Sequence, residues 1–254
     1  MNEMWDKEAL ENHVKAAHML ARINDAAFDF IAATPHVTEH NVRQFILDQF
    51  KQHGIVSDKD APIVAFNENA AIPHYFAPEQ SKMIERNTLV LIDIWGRLDK
   101  ENAPFADMTW VGYRGTIPDE VARVFSAVIE ARNACLDLLR TQLQNGHIPR
   151  GMAVDAIATA VIARHGYDDH ILHRTGHSIG HTAVHGPYHH INPTNSDALL
   201  TNVAYTIEPG IYIPNQFGIR SEIDFYISDT RQLIVTTPVQ ENLVMIRGYS
   251  STRK

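Results

Sequence analysis

Apolar positions recur at helical spacing from about Lys7 to Ala33, and Pro35 ends the run. A second helical pattern extends from Thr38, whose hydroxyl can cap the first turn, to His53 just before Gly54. The period then shortens to that of strands in PIVAFN, LVLIDIWG and FADMTWVGY. The same order returns in the second half of the chain. Thr116 is placed to cap a helix with Pro118, Asp119 and Glu120 in its first turns, running to about Gln144 before Gly146. A further helical pattern covers about Met152 to Arg164, ahead of Gly166, and VAYTIEPGIYI, GIRSEIDFYI, RQLIVTT and NLVMI follow as strand-like runs. Two helices and then strands, twice over, predict an α/β chain built as an internal pseudo-repeat with helices packed on a sheet.

Composition narrows the choice. A chain of 254 residues with 44% hydrophobic and 20% charged residues can bury a large core, and no linker or low-complexity segment divides it, so residues 1–254 are read as a single domain. A formal net charge of -8, with no local Lys/Arg cluster, argues against a nucleic-acid partner. No stretch of eighteen apolar residues predicts a membrane span, and the first residues lack the basic and apolar regions of a secretory signal. Cys135, the single cysteine, excludes an internal disulfide framework. Together these features fit a cytoplasmic protein.

The chemistry lies where the apolar pattern is interrupted. Asp93 stands in LVLIDIWG, a run otherwise suited to a strand buried on both faces. A desolvated carboxylate persists only when it is paired, hydrogen-bonded or bound to a metal, so a loop cap, an arginine ion pair and a metal site are all open readings for it. Asp107 in FADMTWV, Glu208 in YTIEPGIY and Glu222 in GIRSEIDFYI repeat the anomaly. If these four acids converged, their repulsion would have to be compensated. Arg220 and Arg114 are the nearby arginines, and two monocations cannot neutralise four acids, whereas two dications can.

The run HRTGHSIGHTAVHGPYHH, residues 173–190, adds histidines. His177 and His181 are four apart, but Gly176, Gly180 and Gly186 argue against a helix. The glycines around His177 suggest a backbone passing close to something, with the imidazole as a metal ligand.

In order and local setting, Asp93, Asp107, His177, Glu208 and Glu222, with RTGHSIG and TIEPGIY around two of them, resemble the five metal ligands of the pita-bread metallopeptidases. That family contains methionine aminopeptidase, aminopeptidase P and prolidase, and the resemblance runs from the first helix through GIRSEID. It implies the α+β pita-bread fold, two pseudo-symmetric halves with helices packed on a curved, mainly antiparallel sheet. It also implies two divalent metal ions, with manganese favoured over cobalt, zinc or iron. Asp93 would chelate the first ion, Asp107 and Glu222 would bridge both, and His177 and Glu208 would complete the second. Glu208 would further act as the general base. His185 resembles the histidine that contacts the scissile carbonyl, and His74, in NENAAIPHY, a second substrate-facing histidine. Arg220, two residues before Glu222, would share a strand face with Glu222 and Asp224 and orient the bridging carboxylate from behind the ligands.

The sequence departs from the family pattern in three places. RLDKENAP lengthens the connection between Asp93 and Asp107 into a longer hairpin loop, with Asp99 as solvated surface. One extra residue, in the region of His181, separates His177 from His185. The separate N-terminal domain typical of Xaa-Pro members is not in the sequence. The motifs resemble the prolidase and aminopeptidase P branch, while the length resembles methionine aminopeptidase. The expected activity is therefore hydrolysis of the bond between an N-terminal residue and proline, with removal of N-terminal methionine as the alternative. A noncatalytic pita-bread binding module and a creatinase-like amidinohydrolase are rivals disfavoured by the complete ligand set. The expected partners are a small peptide substrate and, as an option, a second copy of the chain in a homodimer.

Overall fold

The computed structural model describes residues 4–58 and 60–247. Helix α1 spans Lys7–Ala33 and begins at Asp6, whose carboxylate accepts the Ala9 N–H at 2.8 Å. Its buried positions, among them Ala16, Leu20, Ile23, Ala27 and Ile31, recur every three or four residues and face the sheet. Helix α2 covers Glu39–His53. Thr38 caps it as expected, in a reciprocal capping box with Asn41, and Gly54 ends it at a φ of 64°, a left-handed position that glycine takes without strain.

Among the described residues four strands follow the first helix pair and six the second, and the largest sheet, of five strands, centres on one long antiparallel hairpin. Strand β3 (Thr88–Leu98) pairs with β4 (Ala106–Arg114) over nine positions. The short strands β1 (Ile55–Val56) and β2 (Ile63–Phe66) add to β3, and β10 (Val244–Met245) joins β4 in parallel. Helix α1 lies across β3 and β4, beside α2. Gly112 makes that approach close, since a Cβ there would sit 2.6 Å from the Phe28 ring. In the second half, α3 (Asp119–Gln144) and α4 (Gly151–Arg164) pack together, and α3 touches β6 (Gly210–Ile213), β7 (Phe217–Arg220) and β9 (Leu233–Val235). Strand β5 (Val203–Ile207) pairs with β8 (Ile223–Ile227), which carries β9 at its other edge, while β6 and β7 form a separate hairpin. The helix pairs and their strands thus alternate twice along the chain, as the periodicity predicts. Among the described residues, no helix is long and apolar enough to cross a membrane.

Two expectations are corrected. Helix α3 is not capped by Thr116; it starts at Asp119 after an extended Pro118, with no side-chain cap. The proline ring disfavours helical backbone at Ile117, so the helix cannot begin sooner. Helix α4 covers Gly151–Arg164, as the pattern predicts. The runs VAYTIEPGIYI and GIRSEIDFYI are each two strands, broken at Glu208-Pro209 and at Ser221-Glu222. Pro209 has no N–H to give a ladder, and the break turns Glu208 out of the sheet. Glu208 and Glu222 therefore sit at strand ends, unlike Asp93 and Asp107, which lie inside β3 and β4. Cys135 is a buried residue of α3, and burial pushes its thiol up to about 12, which leaves it inert.

One buried acid organises the wall of the site from behind. Glu39, in the first turn of α2, is fully buried. It accepts the backbone N–H groups of Phe66 (2.6 Å) and Lys82 (3.1 Å), the Asn69 amide (2.9 Å) and the Tyr75 hydroxyl (2.9 Å). Burial still raises the pKa of Glu39, against the effect of these donors. The carboxyl group clamps both ends of the segment that carries His74, which otherwise has only a short 3-10 turn, Asn67–Ala71. Leaving a buried donor unsatisfied costs roughly 1 to 3 kcal/mol. Glu39→Ala, which orphans several at once, should therefore lower stability by roughly 3 kcal/mol or more. Urea unfolding of the two proteins measures this, and a difference below about 0.5 kcal/mol, the size of an ordinary surface substitution, would contradict the clamp.

Candidate metal centre and its cavity

The β3–β4 register brings the first two acids together. Asp93 stands opposite Thr109 and Trp95 opposite Asp107, so these four side chains form one patch on one face of the hairpin. The strand breaks at Glu208 and Glu222 deliver the other two acids to the same patch. All four line a single cavity of about 760 Å³ with His177, His185, His74, His173, Arg174 and Arg220. Every sequence-predicted site residue is thus on one wall or another of this cavity.

His177 is buried on a non-helical segment whose glycines have a steric purpose. A Cβ on Gly176 would lie 2.2 Å from the Thr206 carbonyl oxygen, so only glycine lets the segment lie against β5. His177 donates its backbone N–H to Thr206 Oγ1 at 3.0 Å, and Thr206 N–H returns a bond to the His177 carbonyl at 2.8 Å. The ring Nδ1 lies 2.9 Å from the Ser178 carbonyl, which can only accept, so Nδ1 carries the proton. Nε2 is left with a lone pair, 3.4 Å from Glu208 Oε1 and 3.7 Å from Asp107 Oδ2. Backbone fixation of one ring nitrogen with the other bare is the tautomer a metal ligand needs.

The acids lack sufficient counter-charge. Burial, then the charges of Glu222 and Asp93, hold the Asp107 carboxyl well above the usual carboxylate range. Glu222 is raised likewise by burial, then by Glu208 and Asp93. Burial lifts Glu208 to about 7, with Arg220 opposing the shift and Asp93 adding to it. Asp224, behind them, is fully buried and raised by burial, and it accepts the Asp107 N–H at 2.8 Å. His13 of α1 lies 3.9 Å from Asp224, and burial lowers its pKa to about 4, so it brings no positive charge.

Arg220 resolves the reading of Asp93. Its Nη2 donates to Asp93 Oδ2, so the arginine ion pair is real, but it engages one oxygen only. Asp93 Oδ1 and Asp107 Oδ1 are buried without a hydrogen-bond partner. Asp107, His177 and Glu222 can place one donor atom each within 4.8 Å of one another. Orphaned carboxylate oxygens, a bare imidazole nitrogen and acids short of positive charge fit hard or borderline divalent cations.

The expected strand face shared by Arg220, Glu222 and Asp224 is corrected, because the chain breaks after Arg220. Arg220 reaches Glu222 mainly through Thr109: Nε donates to Thr109 Oγ1 at 3.0 Å, and Thr109 donates to Glu222 Oε2 at 2.7 Å. Its Nη1 donates to the Tyr212 hydroxyl at 2.8 Å, and that hydroxyl is 2.6 Å from His173 Nε2. His173 Nδ1 bonds the Arg174 carbonyl at 2.8 Å, which fixes its tautomer. Burial, then the Arg220 charge, lowers His173 to about 4. Sequence reasoning missed Thr109, Tyr212 and His173. Thr109 follows Asp107 by two residues, and that strand period was the available signal.

The remaining candidates divide. His185 packs edge-on against His177, with ring centres 4.2 Å apart at 72°, and His74 stands with it at the cavity rim. His181 is outside the cavity lining, its Nδ1 2.6 Å from the Asn102 carbonyl in the lengthened hairpin loop. Asp99 is exposed, as expected. Arg114 stands at the far end of β4, opposite Thr88.

The chain is similar to known peptidases. The chain is 30% identical over 238 residues to an uncharacterized peptidase of Staphylococcus haemolyticus, covering 93% of this chain and 63% of that protein. Among solved structures it resembles an X-Pro aminopeptidase from Thermotoga maritima, with a TM-score of 0.82 and 28% identity over 96% of this chain and 65% of the other. A prolidase from Thermococcus sibiricus gives a TM-score of 0.81 and 27% identity, covering 96% and 62%. The chain therefore has the α+β pita-bread fold and spans less than two thirds of the length of these relatives. Residues 11–229, which hold all five converging ligand candidates, match the metallopeptidase family M24, and the chain belongs to that family.

Proposed function

We propose that the chain is a dinuclear-metal exopeptidase that hydrolyses the bond between an N-terminal residue and proline. The observation that carries this reading is the convergence of Asp93, Asp107, His177, Glu208 and Glu222, with orphaned oxygens among them, in a cavity also lined by His74 and His185. The likeness to a bacterial X-Pro aminopeptidase and an archaeal prolidase supports the substrate class. In this reading Asp93, Asp107, His177, Glu208 and Glu222 would hold the two ions, with manganese preferred to cobalt, zinc or iron. When bound, such a pair of ions supplies Lewis acidity, activating water and polarising the scissile carbonyl.

The chain's own residues do the rest. Glu208, whose Oε1 lies 3.4 Å from the bare Nε2 of His177, is placed to take a proton from the attacking water and pass it to the leaving nitrogen. The proline nitrogen is part of a tertiary amide with no N–H, and it must gain that proton to leave. His185 and His74 bind the carbonyl and its tetrahedral successor from the rim. Arg220 holds Asp93 directly and Glu222 through Thr109, so two ligand carboxylates keep their orientation before metal arrives.

Three outcomes are expected. Manganese should raise the melting temperature of chelator-treated protein, by an amount that grows with pH. The sign follows from Glu208: its folded pKa of about 7 exceeds the ordinary 4.5, so in metal-free protein its stabilising contribution is complete below 4.5 and lost as pH rises through 7. Bound cations favour the ionised acids and remove that loss. Melting curves with and without manganese between pH 5 and 8 read the difference, and a constant or shrinking gain would contradict the shared carboxylate site. Glu208→Gln should leave the fold intact and cut turnover by at least about 100-fold, the usual worth of a general base; retention of more than about a tenth of wild-type kcat would reject the role. On a panel of Ala-Pro, Ala-Pro-Ala and Met-Ala-Ser, the proline peptides should be cleaved fastest. Preference for Met-Ala-Ser would favour a methionine aminopeptidase, and no cleavage by metal-loaded protein would favour a binding module.

A further inference from the structure

Arg132, on α3, is a fully buried guanidinium with no task in the chemistry above. Burial lowers its pKa to about 10, and the exposed Glu241 carboxylate stands 3.9 Å away. Among the described residues its hydrogen-bond acceptors are all neutral. Nε and Nη2 donate to Asn133 Oδ1 at 3.1 and 2.9 Å, while Nη1 donates to Ser221 Oγ at 2.8 Å and to the Gln240 carbonyl at 2.6 Å. A buried charge without a close ionic partner costs stability, and an apolar side chain of similar length would pack α3 against the strands with less penalty. What an apolar side chain cannot do is tie Ser221 to Gln240.

Both of those partners sit at the joint that delivers two ligand candidates. The strand breaks that free Glu208 and Glu222 lie across from each other: Ile207 stands opposite Ile223, Gly210 opposite Arg220, and the Ser221 N–H donates to the Pro209 carbonyl between them. The backbone holds this double break loosely. Ser221 N–H to the Pro209 carbonyl and Glu222 N–H to the Thr109 carbonyl are each 3.3 Å, beyond the usual range of about 2.7 to 3.2 Å. Gln240 supplies a firm anchor beside it. Its amide pairs with Val111 of β4 as a strand would, accepting the Val111 N–H at 2.9 Å and donating to the Val111 carbonyl at 2.6 Å. Arg132 therefore links the break, through the shorter Ser221 bond, to a residue locked on the strand that carries Asp107. We propose that Arg132 is a positioning residue of the metal centre, which through Ser221 holds the double break so that Glu208 and Glu222 stand with Asp107 in the cavity. It acts from outside the cavity lining, and the inference rests on the two-ion reading of that centre.

Manganese uptake by chelator-treated protein, followed by calorimetry, tests this in wild type, Ser221→Ala, Arg132→Met, Arg132→Lys and the Arg132→Met/Ser221→Ala double variant. Urea unfolding of the metal-free proteins is measured beside it. Wild type should take up two ions. Ser221→Ala and Arg132→Met should each weaken manganese binding at least about tenfold, the worth of a hydrogen bond to a charged group. The double variant should bind no more weakly than Arg132→Met, because both substitutions cut the same link. Arg132→Lys, which keeps a donor, should recover part of the loss. A role in packing alone would move the urea midpoint and leave metal affinity within about twofold of wild type, and that result in Ser221→Ala would overturn the assignment, as would fully additive losses in the double variant. Ser221→Ala leaves the packing of α3 in place, so it decides the matter even where Arg132→Met does not fold. Uptake of no more than one ion by wild type would instead reject the two-ion reading, so the two failures are distinguishable.

Discussion

Mutual repulsion among desolvated carboxylates is the constraint around which the molecule is arranged. Asp93, Asp107, Glu208 and Glu222 share one cavity, with Asp224 directly behind, and a single arginine is paired with them. Burial raises the carboxyl groups of Asp107, Glu222 and Asp224 well above their ordinary range. Nothing in the chain could hold these groups together for stability alone, because an apolar core of the same shape would cost less. Divalent cations would offset that repulsion, and the fold supplies rigid supports on every side: a long hairpin for two acids, strand breaks for two more and a backbone-fixed imidazole beside them.

The two halves contribute unequally to that support. The first supplies the hairpin and, through the fully buried Glu39, the wall bearing His74 and Tyr75. The second supplies the histidine-rich segment and the strand ends. They meet where the β6–β7 hairpin touches the 3-10 turn at Asn67–Ala71, so closely that a Cβ on Gly218 would lie 2.0 Å from the Ala70 carbonyl oxygen. The cavity wall that carries His74 is therefore fixed from both halves at once.

Much of this was legible before any coordinates. The helix boundaries at Thr38 and Gly54 follow from capping chemistry, and the ligand candidates stand out because ionisable residues are anomalous in apolar runs. The strand breaks at Glu208 and Glu222 do not show in the apolar pattern, which continues through them; Pro209, lacking an N–H, is the sequence sign of the first. Thr109, Tyr212 and His173 were hidden for a different reason. A threonine or tyrosine is ordinary in a strand, and only the fold shows that the Thr109 hydroxyl joins Arg220 to Glu222 and the Tyr212 hydroxyl joins it to His173.

The bonds that run from the Arg174 carbonyl through His173, Tyr212 and Arg220 to Asp93 have a fixed direction. A carbonyl can only accept at one end, and a guanidinium can only donate at the other. No proton can therefore travel along this path, since Arg220 would have to surrender one it does not release. The path is an insulator rather than a wire. It braces Asp93, and Glu208, whose Oε2 lies 3.9 Å from His173 Nδ1, stands beside the path without belonging to it.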